Sequence, residues 1–236
     1  MRALILAAGR GTRMGALAAA TPKPLLEAGG RPLIAWQILR LAAAGIRELV
    51  VNVAEHAALF RERLGDGSSL GVAIAWSEEG PEPLETGGGM LRALPLLGPG
   101  PFLAVNADVF CDLDYRALPP APRGLAHLVL VPNPPHHPEG DFALTADGRL
   151  SVAGAARHTF AGIGLYRPEL LEGWEEATGP VPRSPLGDPV FPLAPLLRRA
   201  ASQGLLHGEL HRGLWLDVGT PERLAALRAR LAAASR

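Results

Sequence analysis

The chain has 236 residues, which suits one α/β domain, or one large domain with a small annex. Hydrophobic residues make up 48% and charged residues 19%, which excludes a disordered protein. Lysine plus arginine and aspartate plus glutamate balance at 23 each, so no basic surplus favours nucleic acid as a partner. The single cysteine, Cys111, excludes an internal disulfide and a cysteine-based metal site, and no apolar stretch reaches membrane-spanning length, so we expect a cytoplasmic protein without a membrane partner.

The first half of the chain alternates predicted strands and helices. Four apolar runs predict strands, at residues 2–7, 48–54, 71–76 and 101–108. Segments that end at glycine predict helices at 31–45 and 55–65, and a short helix is expected at 90–97. The stretch 81–89, "PEPLETGGG", predicts a loop because of its proline and glycine content. This alternation predicts a mostly parallel, doubly wound sheet.

From about residue 125 the pattern is less regular. Strands are expected at 125–131 and 158–166, with a hairpin between them that turns at 146–148. The segment 178–190 is rich in proline and glycine and predicts an exposed loop. No internal repeat and no linker divides the chain.

The C-terminal region returns to helix and strand. Residues 193–204 predict a helix, and "GLWLDVGT" predicts a strand that ends at Asp217. Thr220, Pro221 and Glu222 then supply an N-cap, a first-turn proline and an acid, which predict the start of the last helix.

A glycine-rich turn follows the first predicted strand, in "LAAGRGTRMG" at residues 6–15. Such a turn exposes backbone N–H groups that a phosphate can approach closely. The Rossmann fingerprint is not met, because Arg13 and Met14 stand around the position of its third glycine, and no Gly-Lys-Ser/Thr follows. The two arginines and a nearby lysine favour a polyphosphate site over a tight surface turn.

That lysine, Lys23, is the only lysine of the chain, and it stands between two prolines in "TPKPLLEAGG". Pro22 and Pro24 restrict the backbone on either side of it. A compact ammonium in a rigid loop suits a point contact to a phosphate, whereas arginine presents a planar fork. We therefore expect Lys23 to contact phosphate, the alternative being a surface lysine without function.

Together these two motifs resemble the signature of the sugar-1-phosphate nucleotidyltransferases. The similarity continues in order through "PLETGGG", "VNAD", "HLVLVPNPPHHPEGDF", "FAGIGLY", "LAPLLRRA" and "LWLDVGTPERL". It implies a Rossmann-like, GT-A-like nucleotidyltransferase fold of the α/β class, a mostly parallel mixed sheet with helices on both faces. It also implies a single domain over 1–236, with a nucleotide-binding half at about 1–124 and a sugar-phosphate-binding half at about 125–236.

The resemblance implies a reaction in which a sugar phosphate oxygen attacks the α-phosphorus of a nucleoside triphosphate and pyrophosphate leaves. This chemistry depends on charge neutralisation and in-line positioning. Arg13 would hold the pyrophosphate, Lys23 would bridge the α-phosphate and the sugar phosphate, and Asp108 would complete the catalytic set. The implied nucleotide-binding residues are Ala8, Gly9, Gly11, Thr12, Arg13, Lys23, Gly87 and Gly88.

A magnesium ion is the implied cofactor, held by Asp108 and Asp217. Mg²⁺ prefers one or two carboxylates together with waters and phosphate oxygens. Both aspartates end apolar strands, and ligands of such sheets bind beyond the carboxyl ends of the strands. Either aspartate alone would be a strand-end cap; the pair favours a metal site. Asp112 and Asp114, close by, are expected to be turn residues.

Three residues are expected to contact the sugar: Asn106, Gly140 and Asp141, the last having hairpin capping as its alternative. Within this family the "HHPEGDF" region resembles enzymes of peptidoglycan recycling. That resemblance implies N-acetylmuramate α-1-phosphate as the sugar and UTP as the donor. The lactyl carboxylate of that sugar requires a cation or donor. The cations expected near it are His136, His137, Arg157 and Arg212.

Some features depart from the family pattern. Ala107 replaces the usual glycine of "NGD" and would be strained if its φ were positive. Pro83 stands where hexose enzymes use a base-reading glutamine, so base selection would depend on backbone contacts or on Glu85. Two alternatives therefore stay open: an enzyme for another sugar 1-phosphate (glucose, mannose or N-acetylglucosamine) or phosphocholine, and an inactive regulatory subunit that binds nucleotide sugar. The sequence indicates no oligomeric state.

Overall fold

The computed structural model of the protein describes residues 1–19, 21–154 and 156–234. Within these ranges the helices are α1 (Leu33–Ala43), α2 (Ala57–Leu64), α3 (Glu85–Leu97), α4 (Trp174–Thr178), α5 (Ala194–Ser202) and α6 (Pro221–Ala234). The strands are β1 (Arg2–Leu6), β2 (Glu27–Ala28), β3 (Arg31–Pro32), β4 (Glu48–Val53), β5 (Ala73–Glu78), β6 (Phe102–Asn106), β7 (Val109–Cys111), β8 (Ala126–Val131), β9 (Phe142–Leu144), β10 (Leu150–Ser151), β11 (Arg157–Tyr166), β12 (Leu206–Leu210) and β13 (Trp215–Asp217).

The central feature is a nine-stranded mixed sheet. Its main path runs β10-β9-β11-β6-β1-β4-β5, and β8 and β12 extend it beside β11. The strands β6, β1, β4 and β5 are parallel, whereas β11 is antiparallel to both β6 and β8. The predicted α/β class and mostly parallel sheet are confirmed, and β6–β11 pairing joins the first and second halves of the chain in one sheet.

Helices cover both faces of this sheet because consecutive side chains of each strand point to opposite sides. Ala3 and Ile5 of β1 pack in a cluster with residues of α1 and α2, while Leu4 between them packs with residues of α3 and α5. Buried parallel strands of this kind are apolar on both faces, which explains the uninterrupted apolar run "ALIL".

A third, smaller core lies beside the carboxyl ends of the central strands. It joins Met14 from the turn after β1, Phe110 of β7, Val218 after β13 and Leu224 of α6. These residues come from widely separated parts of the chain. Their packing places the first loop, the Asp108 turn and the start of α6 next to one another.

The structure differs from the sequence predictions at two elements. Residues 85–89 were expected in a loop, but α3 begins at Glu85 and includes Gly87, Gly88 and Gly89. The strand β12 was not expected, although it pairs in parallel with β8 over five residues. The other predicted strands and helices are present, with ends that differ by at most three residues. In the described part of the chain, no helix is both long enough and apolar enough to cross a membrane.

Candidate active site

A cavity of about 620 Å³ opens at the carboxyl ends of the central parallel strands. Leu6 of β1, Asn52 of β4 and Asn106 of β6 contribute to its wall, and Glu85 and Thr86 from the start of α3 line the opposite side. Open α/β sheets bind their ligands at this edge, in the crevice between strands whose connections diverge. The cavity therefore lies where the strand topology predicts a ligand.

Lys23 and Asp108 form an ion pair in this cavity. Lys23 begins a short 3₁₀ turn, and the amides of Leu25 and Leu26 donate to the carbonyls of Pro22 and Lys23 at 2.8 and 3.1 Å. Its ammonium contacts Asp108 Oδ2, and both side chains are largely buried, with exposures of 14% and 21%. The rigid, proline-flanked turn thus holds the only lysine of the chain against a carboxylate at the end of β6.

Asp217 lies beside Asp108 because their strands are neighbours. The strands β13 and β7 pair antiparallel, with Asp217 opposite Val109, and the Val218 amide donates to the Asp108 carbonyl at 2.8 Å. The Asp217 carboxylate contacts the Arg223 guanidinium, and its other oxygen lies 3.2 Å from His136 Nε2. Arg223 was not among the residues singled out from the sequence.

The two aspartates form a donor set that suits a hard divalent cation. Each carboxylate already forms an ion pair with a basic side chain of the protein: Asp108 with Lys23, and Asp217 with Arg223. Two carboxylates that leave room for phosphate oxygens and water are the ligands that Mg²⁺ prefers. Ala107, between Asn106 and Asp108, has no positive φ, so the alanine of "NAD" is not strained.

The glycine-rich turn supplies the adjoining wall. Ala8, Gly9 and Thr12 line the cavity, as expected, and Arg10 does so as well. Gly11 adopts φ +62°, and a Cβ there would lie 3.1 Å from Lys23 Cβ, so this position brings the turn close to the lysine. Arg13 is exposed and lies outside the cavity wall; its guanidinium reaches Gly219, next to Asp217.

The structure does not bring Gly87 and Gly88 to the cavity surface. Both are buried in the first turn of α3, where their amides donate to the Phe191 carbonyl at 3.0 and 3.1 Å. Their N–H groups therefore have a protein partner instead of facing a nucleoside. The neighbouring Glu85 and Thr86 are the residues of this motif that line the cavity.

The three residues expected to contact the sugar lie in different positions relative to the cavity. Asn106 lines the cavity, and its amide packs against Gly162 of β11, which has φ +73°. Gly140 and Asp141 do not line it. Asp141 accepts a hydrogen bond from the Phe160 amide at 2.8 Å and lies 3.1 Å from His137 Nε2, so its carboxylate fixes the hairpin to β11.

The expected cations near the lactyl group are in different surroundings. His136 contacts Asp217 and Arg223, whereas Arg157 pairs with Glu139 at 3.5 Å. Arg212 is exposed on the loop before β13. His136 therefore lies next to Asp217, one of the two predicted metal ligands. The paired-histidine motif alone did not indicate this contact.

A second group of possible metal ligands occurs outside the cavity within the described ranges. It consists of Cys111, Asp112 and His211. Burial raises the pKa of the Cys111 thiol to about 11, which keeps it protonated, and His211 Nε2 lies 2.8 Å from Asp112 Oδ1. The sequence analysis expected no cysteine-based metal site, and that expectation stays a prediction.

Two buried polar residues of the cavity wall were missed by the sequence analysis. Asn52 in β4 is 3% exposed and Glu79 after β5 is 1% exposed, and they are hydrogen-bonded to each other. Burial raises the pKa of the Glu79 carboxyl, and hydrogen bonds from Leu84 and Asn52 oppose that rise. In the sequence, Asn52 could have been noticed as a polar residue inside the apolar run "ELVVNVA".

Comparisons with known proteins agree with this geometry. The nucleotidyl transferase family model matches residues 2–140. The chain is 48% identical to an N-acetylmuramate alpha-1-phosphate uridylyltransferase of Neisseria meningitidis serogroup B, over 95% of both chains. It is 36% identical to an enzyme of the same name from Caulobacter vibrioides, over 98% of this chain and 97% of that one.

A solved structure shares the fold. It is a Bacillus anthracis protein assigned as a glucose-1-phosphate thymidylyltransferase, with a TM-score of 0.80 at 20% identity, over 98% of this chain and 95% of that one. The expected nucleotidyltransferase fold is thereby confirmed for this chain.

Proposed function

The chain belongs to the nucleotidyl transferase family, and from that premise we propose that it transfers a uridylyl group from UTP to N-acetylmuramate α-1-phosphate, giving the UDP-sugar and pyrophosphate in peptidoglycan recycling. The observation that carries this proposal is the Lys23–Asp108 pair, held in the cavity at the carboxyl ends of β1 and β6. The sugar and the base are assigned from the two relatives of that name.

In the proposed reaction an oxygen of the sugar phosphate attacks the α-phosphorus of UTP. A new P–O bond forms there, and the bond from the α-phosphorus to the oxygen that bridges to the β-phosphate breaks, so the electron pair leaves with pyrophosphate. The enzyme needs no covalent intermediate, since positioning and charge neutralisation lower the barrier. Lys23, as a point cation in a rigid turn, neutralises the phosphate charge at the reacting centre.

Asp108 and Asp217 are the residues that would hold Mg²⁺, which when bound neutralises phosphate charge. Lys23 and Arg223 pair with these two carboxylates and place positive charge beside the same site. Arg13, at the rim beside Gly219, is the residue proposed to hold the leaving pyrophosphate.

The test is a pyrophosphate-release assay with the intact chain, Mg²⁺ and a matrix of substrates. UTP, GTP and dTTP are each combined with the 1-phosphates of N-acetylmuramate, N-acetylglucosamine, glucose and mannose, and with phosphocholine. We expect the highest kcat/KM for UTP with N-acetylmuramate α-1-phosphate, because a site built to pair the lactyl carboxylate leaves polar groups unpaired with the other sugars. Equal or better use of glucose 1-phosphate would overturn the sugar assignment and leave the reaction class intact.

Absence of pyrophosphate release with every pair would instead favour the inactive nucleotide-sugar-binding subunit. A direct binding measurement with UDP-sugar then separates that alternative from a chain that binds no nucleotide. The control variant is Arg63→Lys, an exposed position remote from the cavity, which keeps charge and fold and should leave all rates unchanged.

A further inference from the structure

Three buried hydrogen bonds connect the two sides of the cavity. The Ala7 amide donates to Asn52 Oδ1 at 2.6 Å, Asn52 Nδ2 donates to Glu79 Oε1 at 2.5 Å, and the Leu84 amide donates to Glu79 Oε2 at 2.7 Å. We call Asn52 and Glu79 the polar bridge. It runs from the end of β1, across β4 and β5, to the residue that precedes α3.

The polar bridge is not required to hold the strands together. β1 and β4 are already paired through four residue pairs, and β4 and β5 through six. Asn52 is the last β4 residue paired with β1 and Glu79 follows β5, so the bridge lies at the end of this ladder, where the chain leaves the sheet. Its two ends bind backbone amides of connecting segments. A buried carboxylate costs free energy unless it is hydrogen-bonded, so its retention at this place calls for a role other than strand pairing.

The glycine at position 89 makes room for the polar bridge. A Cβ on Gly89 would overlap Glu79 Oε1 and would lie 2.8 Å from Asn52 Nδ2. Gly89 stands in the first turns of α3, where glycine weakens a helix relative to alanine. The helix accepts that loss because only a residue without a side chain lets it approach the bridge.

Each end of the polar bridge anchors one wall of the cavity. Ala7, whose amide is bound at one end, is followed along the wall by Ala8 and Gly9; Leu84, bound at the other end, stands between the wall residues Pro83 and Glu85. We propose that Asn52 and Glu79 are positioning residues that set the width of the nucleotide cavity. This inference rests on the proposed function, since it takes the cavity to hold the nucleoside triphosphate.

Every hydrogen-bond donor in the polar bridge faces one acceptor, so a single substitution that changes a donor or an acceptor tests the inference. Glu79→Gln replaces one of two acceptor oxygens by an NH₂ group, which must face either the Leu84 amide or the Asn52 amide, both of them donors. Asn52→Asp places two carboxylates in contact. We expect each variant to raise the KM for UTP, and its equilibrium Kd, by about tenfold or more, with kcat for the saturated enzyme changed less than about threefold.

The double variant Asn52→Asp/Glu79→Gln again gives each hydrogen-bond donor of the polar bridge an acceptor. The carboxylate at position 52 accepts from the Ala7 amide and from the new amide at position 79, whose carbonyl accepts from Leu84. All groups are then paired, with the negative charge moved to the other strand. We expect the KM and the Kd for UTP to return to within about threefold of the wild-type values, a non-additivity that indicates direct coupling.

Tyr115→Phe is the matched control, because it removes another buried side-chain hydrogen bond, to Gln37 Oε1, away from the cavity wall. It should lower the melting temperature without moving the Kd for UTP. The inference is overturned if the single bridge variants behave like this control, or if the double variant binds UTP no better than the singles. If wild-type protein releases no pyrophosphate, the proposed function fails, while the UTP-binding comparison still decides the role of the bridge.

Discussion

Lys23 is the residue at which sequence and structure agree most closely. Its flanking prolines indicated a rigid loop, and the structure holds it in a 3₁₀ turn against Asp108. Lys23→Arg should keep the fold but lower kcat about 100-fold, because a planar fork cannot occupy the position of a compact ammonium in a fixed turn. Steady-state rates and circular dichroism are the measurements, and a folded variant with near wild-type turnover would remove the catalytic role.

Glu85 has an unusual backbone for a side chain that lines the cavity. Among the described residues it is the non-glycine residue with positive φ, at +62°. This left-handed conformation costs an L-residue about 1–2 kcal/mol, and strain of this kind is typical of binding sites. The sequence did not reveal it, since glutamate carries no signal for positive φ.

Glu85→Gly should therefore raise the free energy of unfolding of the ligand-free protein by about 0.5–1 kcal/mol, the strain relief exceeding the entropy that glycine adds to the unfolded chain. Glu82→Gly, at an exposed position without positive φ on the same loop, is the control and should lower it by a similar amount. Urea titrations of both variants provide the comparison. Equal losses in the two would show that the Glu85 backbone is not strained.

At the scale of elements, α3 shows where local pattern fails. Glycine and proline in "PEPLETGGG" predicted a loop because glycine has low helix propensity. The structure forms a helix there, and its glycines are required because the helix packs closely against the segment 189–191. A Cβ on Gly88 would overlap the Pro189 carbonyl oxygen, and a Cβ on Gly87 would overlap the Phe191 ring. Both neighbours are a hundred residues away in sequence, beyond the reach of any local pattern.

Gly88→Ala tests this account. Alanine is the better helix former by about 1 kcal/mol, yet the contact with Pro189 should make the variant less stable than wild type by about 1–3 kcal/mol. Gly100→Ala, where a Cβ would meet nothing within 4 Å, should change stability by less than about 0.5 kcal/mol. Thermal unfolding measures both; a stabilised Gly88→Ala would contradict the packing argument.

The two-stranded pairing of β7 with β13 is the element that assembles the candidate metal site. Each aspartate was recognisable as a strand end, but their proximity depends on this antiparallel register and could not follow from either run alone. The strand β12 escaped prediction for a related reason, because "LHGEL" mixes apolar and polar residues and is held by β8.

Asp108→Asn and Asp217→Asn should each lower kcat/KM about 100-fold and raise the Mg²⁺ concentration needed for half-maximal rate, since each removes a charged oxygen from a hard cation. Asp114→Asn, whose carboxylate binds Arg116 away from the cavity, is the matched control. Magnesium titrations at saturating UTP give the comparison. A variant with an unchanged titration would identify its aspartate as a structural cap.

At the scale of the whole molecule, the sequence predicted the class of fold because strand and helix periodicity is local, and it predicted the reaction class because the two N-terminal motifs are specific together. It could not predict how the halves meet. The β6–β11 pairing and the core that joins Met14 to Leu224 tie residues of both halves into shared structure. Most residues that line the cavity therefore belong to the first half of the chain, whereas the neighbouring Asp217 belongs to the second.

This sharing predicts one cooperative unfolding transition, seen at the same temperature by far-ultraviolet circular dichroism and by the fluorescence of the four tryptophans, two in each half. UTP with Mg²⁺ at about 100 times its Kd should stabilise the native state by about 2.7 kcal/mol. For a chain of this size that raises the melting temperature of both probes by roughly 5–10 °C. Removing Mg²⁺ with EDTA should reduce the shift. Two separate transitions, with UTP moving only one, would show that the halves unfold independently and that the nucleotide is bound by the first half alone.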